Sequence, residues 1–110
     1  VTYMKKVAAN LRKYNCKMYY LSVNPVNSAM IKSVGGKARS EAQIASFNRT
    51  IYKNLCSGKN KSFTYINSCT NLQMKGWISN RHDMGIYDGL HYSNATYLRI
   101  FDYCMRYLNR

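Results

Sequence analysis

A chain of 110 residues holds one domain at most. A hydrophobic fraction of 46% sets it among globular rather than disordered proteins. No apolar run approaches the ~20 residues needed to cross a bilayer, and Val1 to Lys6 lack the long apolar core of a signal peptide. The chain opens on Val1 rather than methionine, which suggests an excerpt or a processed product of something longer.

Seventeen Lys and Arg against four acids give a net charge of +13. Such a field draws polyanions: nucleic acid, teichoic acid, acidic polysaccharide or phospholipid. The basic residues are spread along the chain rather than grouped in one arm, so charge does not choose among these partners, and a solubilising surface explains it equally well. The acids are Glu41, Asp83, Asp88 and Asp102, a poor supply for a two-carboxylate glycosidase or a carboxylate-rich metal site. Cys16, Cys56, Cys69 and Cys104 form no C-x-x-C pair, which argues against a zinc site. They permit three disulfide pairings, or serve as small buried apolar residues, with Cys104 on the apolar stripe of the last helix. Asn48, Asn60 and Asn94 each begin a glycosylation acceptor pattern, too frequent by chance to fix the compartment.

In chain order, Val1 to about Tyr14 reads as a helix, with Val1, Met4, Val7, Ala8 and Leu11 at three- and four-residue spacing, ended by Asn15-Cys16. Lys17 to about Val26 contains Met18-Tyr19-Tyr20-Leu21-Ser22-Val23, a run suited to a buried strand that Pro25 closes. Asn27 to Arg39 is predicted to be a loop turning at Gly35-Gly36. Ser40 begins a helix, with Gln43 completing a capping box and Ile44, Phe47, Ile51 and Leu55 on one face. Ser57-Gly58-Lys59-Asn60 breaks it. Phe63-Thr64-Tyr65-Ile66 is a second strand, Thr70 to Tyr92 a long irregular stretch, and Ser93 caps a last helix with Tyr97, Ile100, Phe101, Cys104 and Leu108 as apolar positions.

Alternating strands and amphipathic helices imply a parallel sheet with helices on its faces. Two strands make a poor sheet alone, leaving a sheet edge and a helix face bare, which argues for a preceding βα portion. Ligands of open α/β sheets bind beyond the carboxyl ends of the strands. The loop of about 20 residues after the second strand lies at that end and is long enough to suspect function.

Within it, Asp88 and His91 stand three positions apart, just before a helix start, with Gly89 allowing a sharp turn. A carboxylate beside an imidazole fixes the tautomer and steadies the imidazolium, turning the other ring nitrogen out as a general base. The alternative makes Asp88 a turn residue and His91 a partly buried ring. His82 and Asp83 form a poorer couple, because adjacent residues in an extended chain point in opposite directions. Trp77 and Tyr92 line an acyl or sugar pocket, or simply pack.

The stretch Asp88-Gly89-Leu90-His91-Tyr92-Ser93, running into Ala95-Thr96-Tyr97 and an amphipathic helix, resembles the last sequence block of the SGNH (GDSL-like) hydrolases. Tyr20-Leu21-Ser22-Val23-Asn24-Pro25-Val26 resembles that family's fourth strand, the helix with Phe47-Asn48 the one that follows, and Phe63-Thr64-Tyr65-Ile66-Asn67 the fifth strand. The resemblance covers nearly the whole chain, the Asp-Gly-Leu-His block being its most specific part. It implies that residues 1–110 are the C-terminal part of a single three-layer α/β/α, flavodoxin-like domain. It further implies ester hydrolysis by a Ser-His-Asp triad, with His91 as base and Asp88 as its orienter and with no cofactor. The substrate would be an acylated sugar, lipid or cell-wall polymer, and an extracellular or cell-envelope location is favoured.

The family's serine sits in a Gly-Asp-Ser motif, and a glycine and an asparagine help to form its oxyanion hole. Neither Gly-Asp-Ser nor Gly-x-Asn-Asp occurs here, and Ser22, Ser28 and Ser93 lack that context. The chain is then a C-terminal section, one of two chains needing an N-terminal half that carries the serine, or a degenerate module without activity. Two rival classes stand beside the esterase. One is a basic binding module for nucleic acid or another polyanion, in which basic residues and eleven tyrosines suit single-strand stacking. The other is a small secreted disulfide protein.

Overall fold

Two three-residue strands set the frame: β1 (Tyr19–Leu21) and β2 (Thr64–Ile66) pair in parallel, with Tyr19 opposite Thr64, Tyr20 opposite Tyr65 and Leu21 opposite Ile66. The computed structural model describes residues 1–37, 39–74 and 89–109. A parallel pair cannot be closed by a hairpin and needs a crossover. Here the crossover carries α2 (Ser28–Ser33) and α3 (Glu41–Ile51), the latter ending in a π-helical turn at Tyr52–Cys56. Helix α1 (Thr2–Arg12) precedes β1, α4 (Ser68–Met74) follows β2, and α5 (Asn94–Leu108) closes the chain. The chain is therefore mixed helix and strand, with a two-stranded parallel sheet among the described residues.

The first strand is shorter than its apolar run. Ser22 still donates its N–H to Ile66 O at 3.0 Å. One residue on, a side chain replaces the neighbouring strand: Val23 N–H donates to Asn48 Oδ1 at 2.9 Å, and Asn48 Nδ2 donates to Val23 O at 3.0 Å. This pair of bonds to one residue explains why α3 buries an asparagine. Its inner face is Ile44, Asn48 and Ile51, continued by Leu55, whereas Phe47, expected there, is 50% exposed. The Ser40 capping box forms as the sequence predicts, Ser40 Oγ accepting from Gln43 N–H and Gln43 Oε1 from Ser40 N–H.

Two segments expected to be irregular contain helices. In α2, Asn27 is the N-cap and accepts from Met30 N–H at 3.0 Å, while Ile31 is buried; the glycine pair marks only where that helix stops. Glu41, at the start of α3, accepts from both the N–H and the hydroxyl of Ser28. Those bonds hold its carboxyl below the usual carboxylate range. Ser68, Cys69 and Leu72 of α4 are buried, and Ser22 Oγ accepts from Cys69 N–H at 2.9 Å, tying α4 to the end of β1. In α5 the buried positions are Thr96 and Ile100, with Cys104 packed beside them. Tyr97, Phe101 and Leu108, expected inside, remain more than two-fifths exposed. In α1 only Ala8 is fully buried; Met4 packs against the core, while Val1 and Leu11 face outward.

The core falls into three groups. Ala8, Ile51, Leu55, Cys56 and Phe63 lie against one sheet face, where Met18, Tyr20 and Tyr65 meet them. Val26, Ile31, Ile44 and Cys69 form the second, and Leu72, Tyr92 and Ile100 the third. Of the residues of opposite parity on the strands, Ile66 is buried but Leu21 is 42% exposed. The radius of gyration is 15.5 Å, against about 13 Å for a compact domain of this length.

Asn48→Ala strips the partners from both Val23 backbone groups and is expected to lower stability by about 2–4 kcal/mol. Urea unfolding followed by circular dichroism measures the difference.

Candidate active-site rim

The block expected to carry chemistry is held at the carboxyl ends of the strands by backbone contacts. Past β1 the chain runs through Pro25 to Asn27. Asn27 N–H donates to Gly89 O at 3.0 Å, and the Tyr92 hydroxyl donates to Pro25 O at 2.7 Å. Gly89 has φ 81°, and a Cβ there would stand 2.4 Å from Asn27 O and 2.8 Å from Ile31 Cγ1. Both the left-handed backbone and the close approach require glycine. Leu90 packs on the Val26, Ile31, Ile44 and Cys69 cluster.

Tyr92 is 3% exposed, with its ring among Leu72 and Ile100 and edge-on to Tyr97 at 6.1 Å. The Tyr97 hydroxyl accepts from Tyr92 N–H at 3.1 Å. Tyr92 is thus a core strut and not the wall of an acyl or sugar pocket. Ser93 Oγ accepts from Thr96 N–H at 3.2 Å and starts α5.

His91 is exposed, between buried Gly89 with half-buried Leu90 on one side and buried Tyr92 on the other. A side chain flanked by fixed neighbours and turned to solvent at a sheet's carboxyl end can exchange protons with a bound molecule. Asp88, His82, Asp83 and Trp77 lie outside the described residues. Ser22, Ser28 and Ser93 are each engaged structurally. Ser22 is buried on Cys69 N–H, Ser28 binds Glu41, and Ser93 caps α5.

The four cysteines are unpaired thiols, Cys56 and Cys69 buried and Cys16 exposed. Burial pushes the thiols of Cys56, Cys69 and Cys104 above the ordinary cysteine value. The disulfide-protein reading has no bridge to rest on. Among the described residues no three His, Cys, Asp or Glu are grouped so as to hold a metal, and no helix is long and apolar enough to cross a membrane. Of the three glycosylation patterns, Asn48 is buried with its amide spent on Val23, while Asn60 and Asn94 are exposed.

Sequence reasoning missed a groove beside β2. A groove of about 810 Å³ is lined by Arg49, Tyr52 and Lys53 from α3 and its π-helical turn, by Tyr65 and Asn67 from β2 and its end, and by Thr70 and Gln73 of α4. Arg49 and Lys53 stand four residues apart, a spacing that aligns them on one helix face, but in the sequence they are lost among fifteen other basic residues.

No family model matches the chain, and no curated protein or solved structure is similar to it.

Gly89→Ala forces a Cβ into a backbone oxygen and is expected to cost more than the roughly 1–2 kcal/mol of a left-handed alanine alone. Tyr92→Phe, which removes the hydroxyl that donates to Pro25 O, should cost about 1–3 kcal/mol. Thermal unfolding of the two variants ranks them. Thiol titration checks the cysteines: four thiols react in denaturant, whereas in the native chain Cys16 reacts first and Cys56 and Cys69 lag. Because folding raises the pKa of the buried thiols, they favour the native state below the unfolded cysteine value, 9.0. That contribution fades as pH rises from there through the folded values.

Proposed function

We propose that this chain supplies the histidine and aspartate of a serine esterase of SGNH type, with His91 as general base and Asp88 as the residue that orients it. The serine nucleophile and oxyanion hole lie outside these 110 residues. The observation that carries the reading is the placement of His91: it is exposed, and its flanking residues Gly89 and Tyr92 are bonded to the segment that leaves β1. That is where a general base must stand to serve a nucleophile presented at the same rim of a parallel sheet.

In the reaction, a serine hydroxyl from the complementary half attacks the acyl carbonyl. His91 takes its proton through the ring nitrogen not bonded to Asp88 and returns it to the departing alcohol. Water then repeats the sequence against the acyl-enzyme, regenerating the serine and releasing the acid. Asp88 stays ionised and holds the tautomer.

A three-layer, flavodoxin-like domain is the architecture this reading requires, with further parallel strands beside β1. Three features favour it: the extended radius of gyration, the exposed Leu21 on β1, and Tyr97, Leu98, Phe101 and Leu108 facing outward on α5. Each is accounted for by apolar surface that a βα half would cover.

Two measurements test the proposal. With the serine-bearing half supplied, nitrophenyl acetate hydrolysis should fall by roughly 10³-fold or more in His91→Ala; an unchanged rate would remove His91 from the mechanism. In the chain alone, the far-downfield proton signal of a carboxylate-bonded imidazole should be present and should vanish in Asp88→Asn. Its absence from the unaltered chain would break the pair.

A further inference from the structure

The groove on the α3 and α4 side of β2 is a second site, separate from the histidine block: His91 is not among its lining residues. Its size falls within the roughly 300–1,000 Å³ of small-molecule sites. Its chemistry is uneven in an informative way. Arg49 and Lys53, both exposed, present two cations on one face of α3 and its last turn, and among the described residues no carboxylate lines the groove. Glu41, the acid nearest to them in the chain, is engaged by Ser28.

Tyr52, 48% exposed, lines the groove with them. Its ring is held by an edge-on contact with Tyr65 at 5.2 Å and 69°, and Tyr65 in turn lies parallel to Tyr20 at 6.5 Å. Tyr52 is thus a half-open ring braced by its aromatic neighbours. Asn67, Thr70 and Gln73 also line the groove. Asn67 gives its amide oxygen to Thr70 N–H, which leaves its NH₂ to donate, and the exposed Gln73 amide offers both a donor and an acceptor.

We propose that this groove binds a phosphorylated sugar. The phosphate would lie on Arg49 and Lys53, the ring's apolar face on Tyr52, and the hydroxyls against Asn67, Thr70 and Gln73. Inorganic phosphate leaves the ring and amides unused, and an uncharged sugar leaves two cations without a counter-charge. Single-stranded nucleic acid is served by successive stacking platforms; among the described residues that line the groove, only Tyr52 combines an aromatic ring with substantial exposure. The proposal does not rest on the esterase reading, and its test contains no ester of a carboxylic acid.

Isothermal titration of the full chain with glucose 1-phosphate, glucose and inorganic phosphate tests it. Glucose 1-phosphate should bind at least about tenfold more tightly than either fragment. The exposed double variant Arg49→Gln/Lys53→Gln should weaken it by about tenfold or more, a loss of ~1.4 kcal/mol. Tyr52→Leu should weaken glucose 1-phosphate while leaving inorganic phosphate unchanged. Circular dichroism identical to that of the unaltered chain shows that these surface changes leave the fold intact. No binding of glucose 1-phosphate, or binding indifferent to all three substitutions, overturns the proposal. So does tighter binding of oligothymidylate that depends on the same three residues, which would assign the groove to nucleic acid.

Discussion

The structure depends on how the chain leaves β1. Three-residue strands provide little ladder, so the segment from Ser22 to Asn27 is held by groups borrowed from elsewhere. Asn48 closes on Val23, Cys69 N–H reaches Ser22, the Tyr92 hydroxyl reaches Pro25 O, and Asn27 meets Gly89. Buried backbone polar groups require partners, and here those partners come from α3, α4 and the approach to α5. One short stretch therefore joins the crossover, the second strand and the last helix, and the same bonds fix the residues on either side of His91.

This arrangement sets an exposed side chain beside buried neighbours. Gly89 and Tyr92 are buried, while His91 between them is exposed. A general base needs that combination, because its position must be fixed and its proton-accepting nitrogen accessible. The proposed triad asks nothing further of this half than the carboxylate at Asp88. The groove beside β2 uses a different part of the frame, where Tyr65, parallel to Tyr20 and edge-on to Tyr52, links the sheet to the surface.

The outward apolar residues of α5 and the open face around Leu21 belong to the same account. A domain of this length buries a limited fraction of its surface, and three separate clusters rather than one core reflect that limit. The hydrophobic effect favours covering such surfaces.

Local signals in the sequence determined the capping box at Ser40, the Ser93 cap, the helical spans of α1, α3 and α5, and the two strand centres, because caps and periodicity act within one turn or one strand. They also singled out Asp88 and His91 as the block to inspect. They misjudged α2, whose Asn27 cap was hidden behind a glycine pair, and part of the inner faces of α3 and α5, where Ile44, Ile51, Leu55 and Ile100 are buried as expected but the aromatic positions are not, because polarity alone does not say which side of a helix is buried. Asn48 and Thr96 go inside while Phe47 and Phe101 stay out. Asn48 does so because a strand-end backbone 25 residues away needs its amide. Only the tertiary structure could decide that, and only it could bring Arg49, Lys53 and Tyr52 against Asn67 and Gln73, since contacts between distant segments depend on how the chain closes on itself and leave no periodic trace in the order of the residues.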